Sequence, residues 1–174
     1  MAQYNTIEKY YQGTTPDVVY KETYEPMVKS KTYFSGNISE TVTDPSGVVK
    51  LAVNRNIVAK GGLTYNSNGS VNIVTPGIYA VSASLFVSDQ AWGKFNIAVR
   101  KNSNVSLSEA MSHSCQSSRN MDGNGAQHSY LNTYNIVKLN AGDNVYMTVQ
   151  ASNSGLKRFN QNSGMALFLL QADL

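Results

Sequence analysis

The side chains able to do chemistry are few and scattered in this 174-residue chain. Its two histidines are His113 and His128, and its one cysteine is Cys115. The run "SHSC" sets His113 and Cys115 two residues apart. On a strand, residues two apart point to one face, so a metal ion or a Cys-His nucleophile is conceivable there. Zinc sites take three or four ligands, and no second cluster of ligand types accompanies this one along the chain. A Cys-His pair also needs an orienting third group, for which the sequence carries no motif. No serine sits in a Gly-x-Ser-x-Gly elbow, and no glycine-rich phosphate loop is present. Glu40 and Asp44 come nearest to a carboxylate pair, but Asp44-Pro45 reads as a turn. These residues predict no catalytic residue, no metal site and no cofactor.

The elements that must position the remaining polar residues are legible from composition. Charged residues make up 14% of the chain, against about 25% in ordinary globular domains. In their place stand 20 Ser and 19 Asn, which favour turns and solvated strand faces over helices. Net charge is +3, and the basic residues are scattered, with Arg100-Lys101 and Lys157-Arg158 as the adjacent pairs. A nucleic-acid surface needs a concentrated basic stripe, so no nucleic-acid partner is expected. The apolar run "MALFLL" is six residues long, far below the 18 or more that span a bilayer, so no membrane insertion is expected. "MAQYNTIEKYYQG" has no basic start followed by an apolar run, which predicts synthesis in a cytoplasm without a signal peptide. A single cysteine excludes an intrachain disulfide.

From about residue 32 the chain reads as strands and turns. "TPGIYAVSASLFV" (75–87) alternates without a break: Tyr79, Val81, Ala83, Leu85 and Val87 on one side, Ala80, Ser82 and Ser84 on the other. "KTYFSGNIS", "VVKLAVNRNIV", "VNIV" and "WGKFNIAVRKN" are further extended runs, separated by turns at "DPSG" and "YNSNGS". "YLNTYNIVKLNAGDNVYMTVQAS" holds two strands around "NAGD". Leu131, Thr133, Val137 and Leu139 share a face of the first, and Val145, Met147 and Val149 a face of the second. The final run, "GMALFLLQADL", is apolar on both faces, as a central buried strand should be. Residues 102–129 break the rhythm: a short strand in "VSLSEAMS", otherwise a loop long enough to be functional or mobile. The fold class is all-β, a jelly-roll sandwich of about eight to ten antiparallel strands preceded by a short N-terminal arm.

Residues 1–31 form that arm, and residues 32–174 the knob. The arm holds five of the eleven tyrosines, with four Lys against four acids. "NTIEKYYQG" reads as a short helix, capped by Asn5 with Glu8 three residues on and stopped by Gly13. The arm is either a frayed terminus or a docking segment. In the second case Tyr4, Ile7, Tyr10, Tyr11, Tyr20 and Tyr24 are the anchoring residues, since tyrosine gives large contact area at low entropy cost.

The run "GGLTYNSNGSVNIVTPGIYAVSASL" resembles the signature of the complement globular-head domains, within the tumour-necrosis-factor-like jelly-roll superfamily. Tyr65, Asn66, Gly69, Val71, Pro76, Gly77, Tyr79 and Val81 fill its pattern. "IVKLNAGDNVYMTV" resembles the family's paired strands around a Gly-Asp turn, here Gly142-Asp143, and "NSGMALFLLQADL" its closing strand. Val71 and Val81 stand where the family usually has Phe, and no collagen-like Gly-X-Y stretch precedes the knob. The resemblance spans about residues 32–174. It implies a homotrimer and a binding head rather than an enzyme, with Tyr65, Gly69, Pro76, Gly77, Tyr79, Gly142 and Asp143 in structural roles.

An arm before a trimeric knob resembles a bacteriophage virion appendage, such as a head fibre or tail knob. The expected partners are two further copies of the chain, another virion protein held by the arm, and a host-surface glycan or protein; a capsid decoration would look the same. The expected location is the exterior of a virion, reached after synthesis in the host cytoplasm. The alternative is the head of a bacterial surface or spore-coat adhesin. Trp92, the one tryptophan, is either a contact residue or partly buried under a loop. With His113, Arg119 and His128 in the polar 102–129 segment, it makes up the candidate ligand-contact set.

Overall fold

The computed structural model describes residues 8–12, 15–19, 32–88, 93–102, 110–118, 129–152 and 155–173. The chain divides into two compact units, residues 1–31 with residue 174, and Thr32–Asp173.

In the first unit, strand β1 (Glu8–Gln12) pairs antiparallel with β2 (Thr15–Val19). A strand therefore stands where a short helix was expected. Tyr10, Tyr11, Val18 and Val19 are good strand formers. Asn5 and Gly13, the expected ends of that helix, lie outside the described residues.

The second unit is a sandwich of two antiparallel sheets, with no helix among the described residues. The seven-stranded sheet is built on β9 (Gly77–Ser88), β12 (Ser129–Leu139), β15 (Gly164–Ala172), β3 (Tyr33–Ile38) and β6 (Val53–Lys60). Short strands β4 (Thr41–Thr43) and β14 (Lys157–Phe159) complete it. The six-stranded sheet contains β11 (Ser112–Ser118), β10 (Gly93–Lys101), β13 (Asn144–Ala151), β8 (Val71–Ile73), β7 (Leu63–Tyr65) and β5 (Val49–Leu51). Eight strands have six residues or more, and the five others have three each.

Alternation decides the interior. Tyr79, Val81, Ala83, Leu85 and Val87 of β9 are all buried. They meet Phe95, Ile97 and Val99 of β10 and Val145, Met147 and Val149 of β13 in one core. Burying each such large apolar side chain contributes about 1.5–3 kcal/mol. β9 lies centrally, with β12 along one edge and β15 then β14 along the other.

Strand pairing overturns one expectation. The strands around "NAGD" do not pair with each other: β12 pairs β9, while β13 pairs β10, β5 and β8. The turn at 140–143 carries the chain from one sheet to the other, so that Leu139 and Val145 enter the core from opposite walls. Most of the strand expected in "VSLSEAMS" lies outside the described residues, since 103–109 are not among them; a strand is described at Ser112–Ser118.

Candidate functional site

The motif residues sit at the joints between strands. Gly77 opens β9, and a Cβ there would lie 2.2 Å from the Gln171 carbonyl oxygen, so the close approach of β9 to β15 requires glycine. Pro76 accepts from the Asp173 N–H at 3.0 Å through its carbonyl. The Tyr79 ring is fully buried, and its hydroxyl donates to the Thr75 carbonyl at 2.6 Å. Burial pushes the Tyr79 pKa up to about 12. Tyr65 stacks on Phe34 with ring centroids 6.2 Å apart. Gly69 and Gly142 hold turns through N–H bonds to the carbonyls of Asn66 and Ile73.

Asp143 is a clamp. Its carboxylate accepts from the Asn140 N–H at 2.9 Å and the Asn102 amide at 3.1 Å, with Lys101 Nζ at 3.5 Å. Burial raises its pKa, but these three donors outweigh burial and hold the carboxyl below its ordinary value. This ties the ends of β10 and β13 to the turn from β12.

The scattered charge is further dispersed by the fold. Arg100 is buried and its Nε donates to Thr148 Oγ1 at 2.8 Å; burial lowers its pKa, with Tyr146 acting the other way. Lys157 is buried as well. Arg158 pairs with Glu40 at 3.2 Å. Each adjacent basic pair thus contains one buried member, and neither offers a basic stripe. Glu40 and Asp44 are separately employed, since Asp44 accepts from the N–H groups of Ser46 and Gly155, both at 3.0 Å. Those two bonds hold the Asp44 carboxyl below its ordinary pKa.

Of the candidate contact residues, His113 is exposed on β11, opposite Ala98 of β10. Cys115 is on the same strand, and the structure describes no side chain for it. Trp92, Arg119 and His128 lie outside the described residues, as do Tyr4, Ile7, Tyr20 and Tyr24. Tyr10 and Tyr11 lie on β1, opposite Asp17 and Pro16. Among the described residues, no three His, Cys, Asp or Glu come together as a metal site, and no helix is long and apolar enough to cross a membrane.

The prominent surface feature is the outward face of the seven-stranded sheet. β15 is central in its sheet, yet only one of its apolar faces is covered. Met165, Leu167 and Leu169 enter the core, while Phe168 and Leu170 are 48% and 55% exposed. Next to them stand Ile136, Tyr134 and Tyr130 of β12, each more than half exposed. Register places these side chains in rows. Ile136, Ala80, Phe168 and Tyr33 lie side by side across four strands. Tyr134, Ser82, Ala166 and Ser35 form the next row, and Asn132, Ser84, Gly164 and Asn37 the third. Phe86 and Tyr130 close the series.

Apart from Tyr134, the two middle rows are small side chains between larger ones, and they leave a hollow of about 520 Å³. Gly164 lines it where β15 and β3 approach closely, since a Cβ there would lie 2.3 Å from the Gly36 carbonyl oxygen. Hydroxyls, amides, methyl groups and one tyrosine line it; no carboxylate, imidazole or ammonium does. Sequence reasoning singled out none of these face residues, although the outward side of β9 (Ala80, Ser82, Ser84) and the two-faced apolarity of β15 were both visible in it.

No family model matches the chain, and no curated protein matches it. Its fold is similar to solved structures. A structure of Eiger TNF from S. frugiperda superposes with a TM-score of 0.61 at 13% identity, covering 82% of this chain and 94% of that one. The crystal structure of murine APRIL at pH 5.0 superposes with a TM-score of 0.56 at 13% identity, covering 80% and 98%. The chain therefore has a TNF-like jelly-roll fold.

Proposed function

We propose that this chain is a structural and binding head, not an enzyme, and that three copies assemble into a knob through the outward face of the seven-stranded sheet. The observation that carries this reading is the uncovered apolar face, with Tyr130, Tyr134, Ile136, Phe168 and Leu170 all about half exposed or more. Several large apolar side chains left exposed on one sheet face mark an interaction site. A ring of three closes on itself and leaves no such face open. The family resemblance in the sequence and the TNF-like fold both support three as the number.

The knob is further read as the exterior part of a bacteriophage particle, a head fibre, tail knob or capsid decoration, with residues 1–31 as its anchor to another virion protein. The layout supports this: a tyrosine-rich arm with balanced charge ahead of a Ser- and Asn-rich knob. Host-surface contact is assigned to the segment between β10 and β12, which carries His113 on an exposed strand position. The hollow, with no acid or base in its lining, supports binding over catalysis.

Light scattering on a sizing column, at several dilutions of the full chain, tests the assembly. A constant mass of three chains is expected, and a clean monomer overturns it. Deleting residues 1–29 tests the anchor: particle attachment is lost while the knob keeps its mass. Attachment that survives the deletion overturns the anchoring role.

A further inference from the structure

We infer that the hollow becomes one wall of a closed, water-filled polar chamber on the axis of the assembled knob, sealed at each end by an apolar row. The inference rests on the three-copy reading above and adds what that interface contains.

The face is banded, not uniformly apolar. One end carries the Ile136–Ala80–Phe168–Tyr33 row, in which the rings of Tyr33 and Phe168 are stacked 6.2 Å apart. The other end carries Phe86 and Tyr130, with rings 6.4 Å apart. Both ends are fit to exclude water. Between them the side chains of Ser35, Ser82, Ser84 and Asn132 have no hydrogen-bond partner among the described residues. On a lone copy, solvent satisfies them. A face-to-face association removes that solvent.

A buried hydroxyl or amide without a partner costs about 1–3 kcal/mol. Four groups in each of three copies make about twelve, a cost that a dry seam cannot carry on that per-group scale. Apart from Tyr134, the lining side chains are also too small to reach across: Gly164, Ala166 and three serines line a recess, not a ridge. Retained water resolves both problems, since a water with two to four polar partners is a stable part of a structure. The hollow of about 520 Å³ accommodates a cluster at roughly 30 Å³ per water. With no charged side chain in the lining, nothing there selects an ion over water.

The test is oxygen-17 magnetic relaxation dispersion on the assembled full-length protein, which counts long-lived waters. A set of such waters is expected per assembly, and it should be absent from Ser84→Leu and from Ala166→Leu, which fill the hollow from two different strands. Either variant suffices if the other fails to fold. Ser84→Ala should leave the dilution midpoint within about twofold, because a wet wall tolerates the loss of one hydroxyl. A trimer with no long-lived water beyond that of the filled variant overturns the chamber and leaves the three-copy reading standing. A tenfold weaker assembly in Ser84→Ala also overturns it, since the hydroxyl would then bond directly across copies. A monomeric wild type overturns both readings.

Discussion

The rings of Tyr33 and Phe168 stack at 6.2 Å with 16° between their planes, side by side on β3 and β15 and facing out of the molecule. Neither ring belongs to the core, and Phe168 is 48% exposed. A stacked aromatic pair with one ring half-wet is a cost to a lone copy and an anchor for an assembled one.

Phe168→Asp is therefore expected to convert the assembly to monomers while leaving the sandwich folded. The new carboxylate would be desolvated on association, but it replaces no core contact. Sizing-column mass and circular dichroism on the same sample check the two halves. A trimeric Phe168→Asp would place the interface elsewhere.

Tyr79→Phe isolates one buried bond. It removes the hydroxyl that donates to the Thr75 carbonyl and keeps the ring in the core. A loss of about 0.5–1.5 kcal/mol is expected in urea unfolding. An unchanged midpoint would mean that the bond contributes nothing net.

Asp143 should give the knob an acid limb. Its folded pKa lies below the unfolded value, so its contribution is fully present above the unfolded carboxylate pKa of about 3.9. It is lost as pH falls from there through the lower folded value. Asp143→Asn should be less stable than the parent at pH 7, and the difference should shrink as pH falls below about 4. A pH-independent difference would show that the carboxylate charge is not what the clamp uses.

Gly77→Ala should destabilise by about 1–3 kcal/mol, the usual range for a forced overpacked contact. Its Cβ would lie 2.2 Å from backbone, the Gln171 oxygen, which has no side-chain freedom to move aside. Thermal unfolding of the variant checks this. Full stability would mean that β9 and β15 can separate locally at no cost.

Much of the sandwich was determined locally. The unbroken alternation of Tyr79, Val81, Ala83, Leu85 and Val87 dictates a strand with one buried face wherever that strand is placed. The same holds for Phe95, Ile97 and Val99, and for Val145, Met147 and Val149. The turns at 65–70 and 140–143 were equally readable, because Asn-Gly and Gly-Asp have intrinsic turn chemistry. Which strands pair was not local. "NAGD" suits a turn within a sheet or a crossing between sheets, and only the competition for β9 and β10 as partners sent β12 and β13 apart. Residues 8–12 show the limit of helix capping signals, since a short helix is costly to nucleate and an adjacent strand at 15–19 offers a competing set of backbone partners. The candidate site depends on tertiary structure most of all. Ser35, Ser82, Asn132 and Ala166 are far apart along the chain, and each alone is an ordinary outward-facing strand residue. Their alignment into a hollow is a matter of register between four strands, and register is set by the core on the opposite side of the sheet.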